Sequence, residues 1–480
     1  MNAKSSQFDA QEKVISLFQR AYSTCPAYRD FIDEHDIVAS QITKPQHIDR
    51  IPIMTKDNFL RKYPLNQRLI DNKLLSDCYM MTASSGSTGE PLFWPRDYDT
   101  DKFLEKKKER LYQDLFDIKN QKTLCINTFA LGIWTAGVLT SKFSWGAAEK
   151  NPMTVISTGM NFQAIADTFR NIVEKYDQVI MLGYPPVLME VIEHISEEFV
   201  NLAQFNIKIL YTSDSLSPKA KERLLQLIGK ADDHGSVVGF YACTDTGIVG
   251  AQTRVTATAF EELNQLSDTK MSKILQKYFS SSKIPALYQY DPMVKYLEAH
   301  DGEILVTADQ NVPLIRYKLG DRGGIIAGSE IAACLKSCKK NSNQLKTLPS
   351  LSKQFEEQMY VFIMGRSDAV LFTTNIYIED IKYCLESSSF SSRLTGHFRF
   401  GTVEESTTLK KQLRVQVFLK NKSKMSRNEE KIFVKEFVQS LYVVNSDVAG
   451  LQNVTIQDLI IEFLPDSADK YTNFKLKHFL

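Results

Sequence analysis

The 480-residue sequence lacks the features that define several classes of protein. It has no run of about 18 apolar residues, which a membrane-spanning helix would require. Its first residues contain no apolar stretch of the kind found in a secretory signal. Lys and Arg total 58 against 57 Asp and Glu, so the formal net charge is only +1 and no global field attracts nucleic acid or a membrane surface. We therefore expect a cytoplasmic protein with neither nucleic acid nor membrane as a partner.

Cysteine is also scarce, with seven residues scattered along the chain. Cys334 and Cys338 lie four residues apart, but no second pair of ligands accompanies them, as a structural zinc site would require. An odd and dispersed set of cysteines does not suggest a disulfide framework either. The sequence predicts reduced thiols and no zinc.

What the sequence does contain is an alternation of strand and helix patterns between residues 120 and 320. Short apolar runs predict strands at Thr123–Asn127, Gln178–Leu182, Ile207–Tyr211, Ser236–Tyr241 and Glu303–Thr307. Helical periodicity predicts helices at 8–22, Asn161–Tyr176, Pro186–Phe199 and Ser217–Ile228. Strands that alternate with helices indicate an α/β fold whose sheets are mixed and mostly parallel.

The C-terminal part has a pattern of its own. Residues 328–357 are rich in Lys, Ser, Asn and Gln, and we interpret them as an insertion or mobile connection. The chain then alternates between helix and strand patterns at Ile378–Ser387, Phe398–Thr402, Leu413–Leu419, Ser426–Tyr442 and Val454–Phe463. We predict a large N-terminal domain over residues 1–366 and a small, mobile α+β domain over residues 367–480.

The most informative segment is a run of six small or hydroxyl-bearing residues that is followed by Glu90 and Pro91. Its members are Ser84, Ser85, Gly86, Ser87, Thr88 and Gly89. Successive backbone N–H groups in such a turn form a concavity that binds anions, so a polyphosphate is the expected ligand. The segment is not the usual nucleoside-triphosphatase loop, because no Lys follows Gly89. Taken alone, it is equally compatible with a surface loop.

Three further motifs follow in a fixed order. They are Gly239–Asp245 (GFYACTD), Gly302–Thr307 followed by Pro313–Asp321 (PLIRYKLGD), and Gly365–Asp368 (GRSD). Together with the Ser-rich segment, this set resembles the adenylate-forming superfamily, which includes acyl- and aryl-CoA synthetases, adenylation domains and luciferases. The lead-in, which includes Cys25–Arg29 and Ile51–Lys56, is similar to that of the phenylacetate–CoA ligase branch. The resemblance spans nearly the whole chain.

The resemblance implies a nucleotide site for ATP. Ser85–Gly89 would hold the β- and γ-phosphates, and Tyr241 would stack on adenine. Ser213 and Asp214 would line the base pocket. Asp321 would accept both ribose hydroxyls, a role suited to an ionised carboxylate.

The resemblance also implies the residues that act on the reacting phosphate. Thr244 would contact the α-phosphate and Asp245 would bind Mg²⁺ where relatives have Glu. Asp is an equally hard oxygen ligand that is one methylene shorter. A C-terminal lysine would supply positive charge during catalysis; Lys475 is the first candidate, with Lys470 and Lys477 as alternatives. The small domain would rotate about Asp368.

The expected reaction is activation of a carboxylic acid to an acyl-adenylate, followed by transfer to a thiol of CoA or a carrier protein. Phe129 and Trp134 occupy the segment that resembles the acid pocket, which favours an aryl or other apolar acid, although core packing explains each residue equally well. The loop after Asp368 is shorter than in relatives and has no Gly, although a pantetheine chain needs close backbone approach. Two alternatives stay open, namely an amine, hydroxyl or protein acceptor in place of the thiol, and a catalytically silent nucleotide-binding homologue. A homodimer is also left open.

Overall fold

The computed structural model resolves into two compact units, one within residues 1–363 and another that includes Met364–Leu480. The described residues are 3–84, 91–199, 201–213, 216, 218–253, 256–257, 268–279, 285–338, 356–365, 367–371, 374–404, 411–420, 423–445, 459–465, 471–472 and 475–476. The division into domains at residues 366 and 367 and the interpretation of residues 328–357 as an insertion stay predictions. Gly328–Cys338, the first part of that segment, forms a helix.

Two helices open the chain. They are α1 (Ala3–Thr24) and α2 (Pro26–Asp33). The buried face of α1 is made by residues three or four positions apart, namely Val14, Leu17, Phe18 and Ala21. Pro26 begins α2 because proline suits the first helical position, where no N–H is needed. The helix predicted over residues 8–22 is confirmed.

A short hairpin follows, made of β1 (Met80–Ala83) and β2 (Phe93–Arg96). The two strands are antiparallel, with Ala83 opposite Phe93. Just beyond them the Ser84 N–H donates to the Leu92 carbonyl, and the Leu92 N–H donates to Ser84 Oγ, both at 2.9 Å. These bonds extend the pairing of the two strands as far as Ser84 and Leu92.

Eleven strands form one mixed sheet in the described part of the chain. They are β3 (Thr123–Asn127), β4 (Met153–Ser157), β5 (Gln178–Gly183), β6 (Ile207–Thr212), β7 (Val237–Cys243), β8 (Gly247–Ala251), β9 (Ala286–Tyr290), β10 (Tyr296–His300), β11 (Glu303–Ala308), β12 (Leu314–Ala327) and β13 (Met359–Gly365). Their order across the sheet is β10-β11-β12-β13-β9-β8-β7-β6-β5-β3-β4. The predicted α/β class is confirmed, and each of the five predicted strands between residues 120 and 320 is present.

The sheet has two halves of different character. Strands β4, β3, β5, β6 and β7 are parallel, and helices connect them in sequence, as parallel pairing requires. Every residue of β3 and β5 is buried, which is typical of strands covered on both faces. The pairs β7–β8, β8–β9, β9–β13, β11–β12 and β10–β11 are antiparallel. The prediction of parallel strands thus describes the β3–β7 half only.

Within the described residues, seven further α-helices lie among these strands. They are α3 (Tyr98–Phe116), α4 (Thr135–Ala148), α5 (Phe162–Asn171), α6 (Pro185–Glu198), α7 (Pro218–Leu227), α8 (Asp268–Phe279) and α9 (Gly328–Cys338). Asp97 and Asn161 cap α3 and α5, each accepting a hydrogen bond from an N–H in the first turn. Among the described residues, no helix is long and apolar enough to cross a membrane. The six cysteines whose side chains are described form no disulfide bond with one another.

The described part of the C-terminal unit includes two helices and a small sheet. The helices are α10 (Ile378–Ser387) and α11 (Arg427–Val444), and the sheet is formed by β16 (Leu394–Glu404), β17 (Lys411–Leu419) and β18 (Leu459–Pro465), with β17 in the middle. Two short antiparallel pairs are also present, β14 (Ser367–Leu371) with β15 (Thr374–Tyr377) and β19 (Tyr471–Thr472) with β20 (Lys475–Leu476). Alternate residues of β17, namely Leu413, Val415, Val417 and Leu419, are buried against the helices' apolar faces. The predicted α+β character of this region is confirmed.

A capping box begins α11. Ser426 Oγ accepts from the Glu429 N–H at 3.3 Å, and a Glu429 carboxylate oxygen accepts from the Ser426 N–H at 2.8 Å. The other oxygen accepts from Arg393 at 2.7 Å. The backbone hydrogen bond at Ser426, with help from Arg393, lowers the pKa of Glu429 to about 2.

We expect Glu429→Gln to lower the thermal stability of the full-length protein at pH 7. A carboxylate whose folded pKa is depressed stabilises the fold above its unfolded pKa of 4.5, and this contribution is lost as the pH falls toward 2. The difference in melting temperature between variant and wild type should therefore shrink between pH 5 and about pH 2. Glu430→Gln, in the same helical turn, is the control and should be nearly silent. A pH-independent difference at Glu429 would contradict this account.

Candidate active site

Asp245 lies at the centre of a polar cluster, in the turn that joins β7 to β8. Its side chain is only 7% exposed. The Tyr317 hydroxyl donates to Asp245 Oδ2 at 2.7 Å, and the Lys56 ammonium lies 3.6 Å from the same oxygen. Gln310 Nε2 donates to the Asp245 backbone carbonyl at 2.7 Å. A buried carboxylate is therefore held by a hydroxyl donor and a cation that reach it from two different segments.

Lys56 was not among the residues that we expected in the site. It begins a single helical turn whose capping box is formed by Thr55 and Asn58. Two residues earlier, the Met54 N–H donates to the Arg316 carbonyl at 3.2 Å, and the Lys318 N–H donates to the Met54 carbonyl at 2.9 Å. This pairing sets the N-terminal segment beside β12. The only signal in the sequence was that Ile51–Lys56 forms part of the lead-in similar to phenylacetate–CoA ligases.

A second polar pair joins the motifs of β7 and β12. The Tyr241 hydroxyl donates to Asp321 Oδ2 at 2.7 Å, and the Asp321 side chain is largely buried. The Tyr241 ring stacks on the Tyr288 ring, with centroids 5.7 Å apart and planes 29° apart. Gly320 precedes Asp321 with φ of +82°, a left-handed conformation that glycine adopts without strain. The structure thus brings together two residues predicted to bind the nucleoside.

The carboxyl ends of the parallel strands meet along one edge of the sheet. Thr244 and Asp245 follow β7 at this edge, and Ser213 follows the neighbouring strand, β6. Ser213 has φ of +75°, a region that non-glycine residues seldom occupy. In open α/β sheets, ligands bind outside the carboxyl ends of the strands. The predicted nucleotide-binding and catalytic residues of β6 and β7 are therefore placed where this fold binds ligands.

The two residues predicted to form the acid pocket lie in the segment between β3 and α4. Phe129 is buried and contacts the Tyr184 ring edge-on, with centroids 4.9 Å apart. Trp134 is half-buried at the start of α4 and bridges to Ala83 beside the Ser-rich hairpin. Thr135 Oγ1 also donates to the Ala83 carbonyl at 3.1 Å. This segment therefore links β3 to the base of the hairpin.

Several predicted site residues lie outside the described residues. These are Ser85, Gly86, Ser87, Thr88, Gly89 and Asp214, together with the alternative lysines Lys470 and Lys477. For Lys475 the structure gives only its backbone, which pairs with Thr472. For Asp368 it gives only the backbone, in β14. The roles assigned to these residues stay predictions.

The cluster around Asp245 suits a magnesium ion bound largely through a nucleotide. No group of three or more His, Cys, Asp and Glu residues that could hold a metal is found in the described part of the chain. Mg²⁺ typically uses one or two carboxylates plus substrate phosphates rather than a cage of protein ligands. A single carboxylate such as that of Asp245 fits this pattern.

Nearby, burial raises the pKa of the Cys243 thiol, so the thiol stays neutral at pH 7.

No family model and no curated protein matches the sequence. Solved structures do match it over most of its length. The 2-hydroxyisobutyryl-CoA ligase in its postadenylation state, in complex with R3-HIB-AMP, is 16% identical, with a TM-score of 0.66; the match covers 100% of this chain and 90% of the ligase. The chain shares the fold of this ligase.

Two other structures with this fold contain different ligands. The acyl acid amido synthetase AtGH3.15, in complex with 2,4-DB, is 12% identical, with a TM-score of 0.56 and coverage of 97% of this chain and 87% of that one. McyG A-PCP, complexed with phenylalanyl-adenylate, is 12% identical, with a TM-score of 0.52 and coverage of 91% and 71%. The resemblance to the superfamily is thus supported at the level of fold, and the phenylacetate–CoA ligase-like branch stays a prediction.

We expect Tyr317→Phe to reduce the free energy of unfolding by about 1.5–3 kcal/mol, because it removes a donor to a buried carboxylate. Equilibrium urea denaturation of both proteins measures the difference. Tyr63→Phe is a matched control, since the Tyr63 hydroxyl donates at 3.1 Å to Glu34, whose side chain is 45% exposed. Water can replace that donor, so the control should cost less than about 1 kcal/mol. Equal losses in the two variants would contradict the importance assigned to the Tyr317 contact.

Proposed function

We propose that this protein uses ATP and Mg²⁺ to convert a carboxylic acid into an acyl-adenylate and then transfers the acyl group to an acceptor. The observation that carries the proposal is the buried Asp245 carboxylate, held by Tyr317 and Lys56 at the ligand-binding edge of the adenylate-forming fold. The 2-hydroxyisobutyryl-CoA ligase structures with this fold contain an acyl-adenylate. At this low identity the fold alone is shared, so the activity requires direct measurement.

In this proposal, the nucleoside binds along the edge formed by β6, β7 and β12. Tyr241 stacks on adenine, and its hydroxyl positions the Asp321 carboxylate, which accepts from the ribose hydroxyls. Ser213 and Asp214 line the base pocket. The Ser84–Gly89 segment binds the β- and γ-phosphates through its backbone N–H groups.

The chemical step forms one bond and breaks one. A carboxylate oxygen of the acid attacks the α-phosphorus of ATP, and the bond to the bridging oxygen of the leaving pyrophosphate breaks. Mg²⁺ on Asp245, when bound, neutralises phosphate charge. Thr244 contacts the α-phosphate, and Lys56 adds a second positive charge on the side of Asp245. The protein thus contributes mainly orientation and charge stabilisation.

Lys475 supplies the remaining positive charge from the C-terminal domain, which we propose to span residues 367–480. The N-terminal domain would span residues 1–366, and rotation about Asp368 would bring Lys475 to the nucleotide. Phe129 and Trp134 contribute apolar surface to the acid site, which favours an aryl or other apolar acid.

Two acceptors follow from different observations. A thiol of CoA or a carrier protein is favoured by the CoA ligase fold, and one such ligase structure contains both an acyl-adenylate and CoA. An amine is favoured by the loop after Asp368, which has no Gly, and by the acyl acid amido synthetase with the same fold. We place the thiol first because the fold likeness to the CoA ligase is stronger.

The first functional test is acid-dependent release of pyrophosphate from ATP and Mg²⁺ across a panel of aryl, fatty and amino acids. We expect release with an apolar acid. Asp245→Asn, Lys56→Ala and Lys475→Ala should each lower the rate on the order of 100-fold, as losing one positioned electrostatic contact does in other enzymes. Lys150→Ala, on the surface at the end of α4, is the control and should leave the rate unchanged.

No release with any acid, together with nucleotide binding, would instead support the silent nucleotide-binding homologue. An unchanged rate of pyrophosphate release in Asp245→Asn would contradict the catalytic role of Asp245, on which the proposal depends.

The acceptor is tested by supplying CoA or a small primary amine after adenylate formation with the active acid. We expect CoA to accelerate turnover and to yield a thioester identifiable by mass spectrometry. Hydroxylamine, which captures activated acyl groups without a specific site, is the control for adenylate formation. If CoA does not change the rate of turnover and the amine yields an amide, the protein is instead an amide-forming enzyme.

A further inference from the structure

The backbone of β12 contains a bulge directly before Tyr317. In the pairing with β11, Val306 lies opposite Tyr317 and Ala308 lies opposite Leu314, so β12 has one extra residue at this point. Arg316, within the bulge, has φ of +50°. A left-handed conformation is rare for a long side chain, and bulges near active sites commonly redirect a neighbouring residue. The Arg316 N–H donates to Thr307 Oγ1 at 3.0 Å instead of continuing the regular ladder.

The bulge directs the Arg316 guanidinium into a buried position, where it is only 3% exposed. Nη1 donates to the carbonyls of Asp49 at 3.0 Å and Ile51 at 2.7 Å. Nε lies 3.2 and 3.3 Å from the two oxygens of Glu298, whose side chain is 12% exposed. Burial raises the pKa of Glu298, and the positive charge of Arg316 opposes that rise. A single guanidinium thus joins the strand β10 to the segment that precedes Lys56.

Both groups that hold the Asp245 carboxylate lie close to Arg316 in the structure: Tyr317 in β12 and Lys56 after residues 49–54. Arg316 is adjacent to Tyr317 in sequence, and its carbonyl accepts from the Met54 N–H at 3.2 Å. The side chain of Arg316 therefore contacts the start of the segment 49–54, and its backbone carbonyl contacts the end of that segment, two residues before Lys56. Arg316 therefore does more than satisfy the Glu298 carboxylate. It adjoins Tyr317 and holds the segment before Lys56, and these are the two residues that contact Asp245 Oδ2.

We propose that Arg316 is a positioning residue that clamps the segment of residues 49–54 to the β12 bulge and thereby sets Lys56 and Tyr317 against the same oxygen of Asp245. The kinetic part of this inference rests on the proposed adenylation activity, while the positioning part does not. Arg316 acts through Lys56 and need not touch the substrate. Lysine cannot replace it, since an ammonium lacks the planar fork that reaches two carbonyls and a carboxylate together.

A structural readout tests the positioning without any assumption about activity. The Lys56 side chain is 40% exposed and is held beside Asp245. Its rate of acylation by an amine-reactive ester, followed by peptide mass spectrometry, should rise at least about threefold in Arg316→Lys, because a lysine released from a carboxylate is more available to react. Lys150, 50% exposed and paired with Glu109 at 3.1 Å, is the internal control and should not change.

The kinetic readout is a double-mutant cycle. Arg316→Lys should lower kcat for pyrophosphate release by about 10- to 100-fold, as a displacement of about 1 Å at a reacting group does. The KM for ATP should stay within about threefold, because nucleoside contacts are retained. In the Lys56→Ala background the same substitution should cost at most about threefold, since the residue through which it acts is already gone. Arg170→Lys, on a surface ion pair with Glu198 and Asp167, is the matched control.

The outcomes separate the two proposals. Unchanged Lys56 labelling in folded Arg316→Lys overturns the positioning role, as does an equal loss of kcat in both backgrounds. A wild-type protein that releases no pyrophosphate contradicts the proposed function, and the labelling comparison still decides the role of Arg316. If Arg316→Lys does not fold, Glu298→Gln keeps the arginine and an accepting oxygen but removes the charge, and Lys56 labelling should rise in that variant too.

Discussion

A carboxylate buried as deeply as that of Asp245 must be satisfied by donors, because removing an ionised group from water is costly. In this protein the donors come from segments that are distant in sequence: Tyr317 in β12 and Lys56 in the N-terminal lead-in. The need to satisfy one oxygen therefore fixes the relative placement of the β7–β8 turn, the middle of β12 and the segment between α2 and β1. The backbone pairing of Met54 with Tyr317 holds the last two of these together.

The parallel half of the sheet explains why the other site residues assemble. Helical crossovers return the chain in the same direction after each strand, so the residues that follow β6 and β7 emerge at one edge. Tyr241 near the end of β7 then reaches Asp321 in β12, and Tyr288 in β9 supports its ring. The site thus lies where the parallel and antiparallel halves of the sheet meet. Its polar groups are placed by rigid strands, which favours electrostatic preorganisation.

Local patterns were enough to locate many elements. The strands at Thr123–Asn127 and Glu303–Ala308 and the helix at Ile378–Ser387 follow from apolar periodicity and from capping or turn residues nearby. The antiparallel half was not foreseen, because the pairing of β9 with β13 depends on contacts between residues far apart in sequence. The helix Gly328–Cys338 was also not foreseen, because residues 328–357 as a whole are rich in Lys, Ser, Asn and Gln, although Ile331, Ala332 and Cys334 of the helix are buried in an apolar cluster.

The sequence by itself determined the α/β class, because that class depends on local periodicity. It also determined the order of the motifs, and their resemblance to the adenylate-forming superfamily made Tyr241, Asp245 and Asp321 the candidate site residues. Only the tertiary structure decided that Lys56 belongs with Asp245, and that Arg316 adopts a left-handed conformation in a bulge. Both residues lie in segments that carry the resemblance, but the local sequence assigns a role to neither, since a lysine in a polar turn and an arginine in a strand have many ordinary uses. Their roles arise from the burial of charge and from strand register, which are properties of the folded chain.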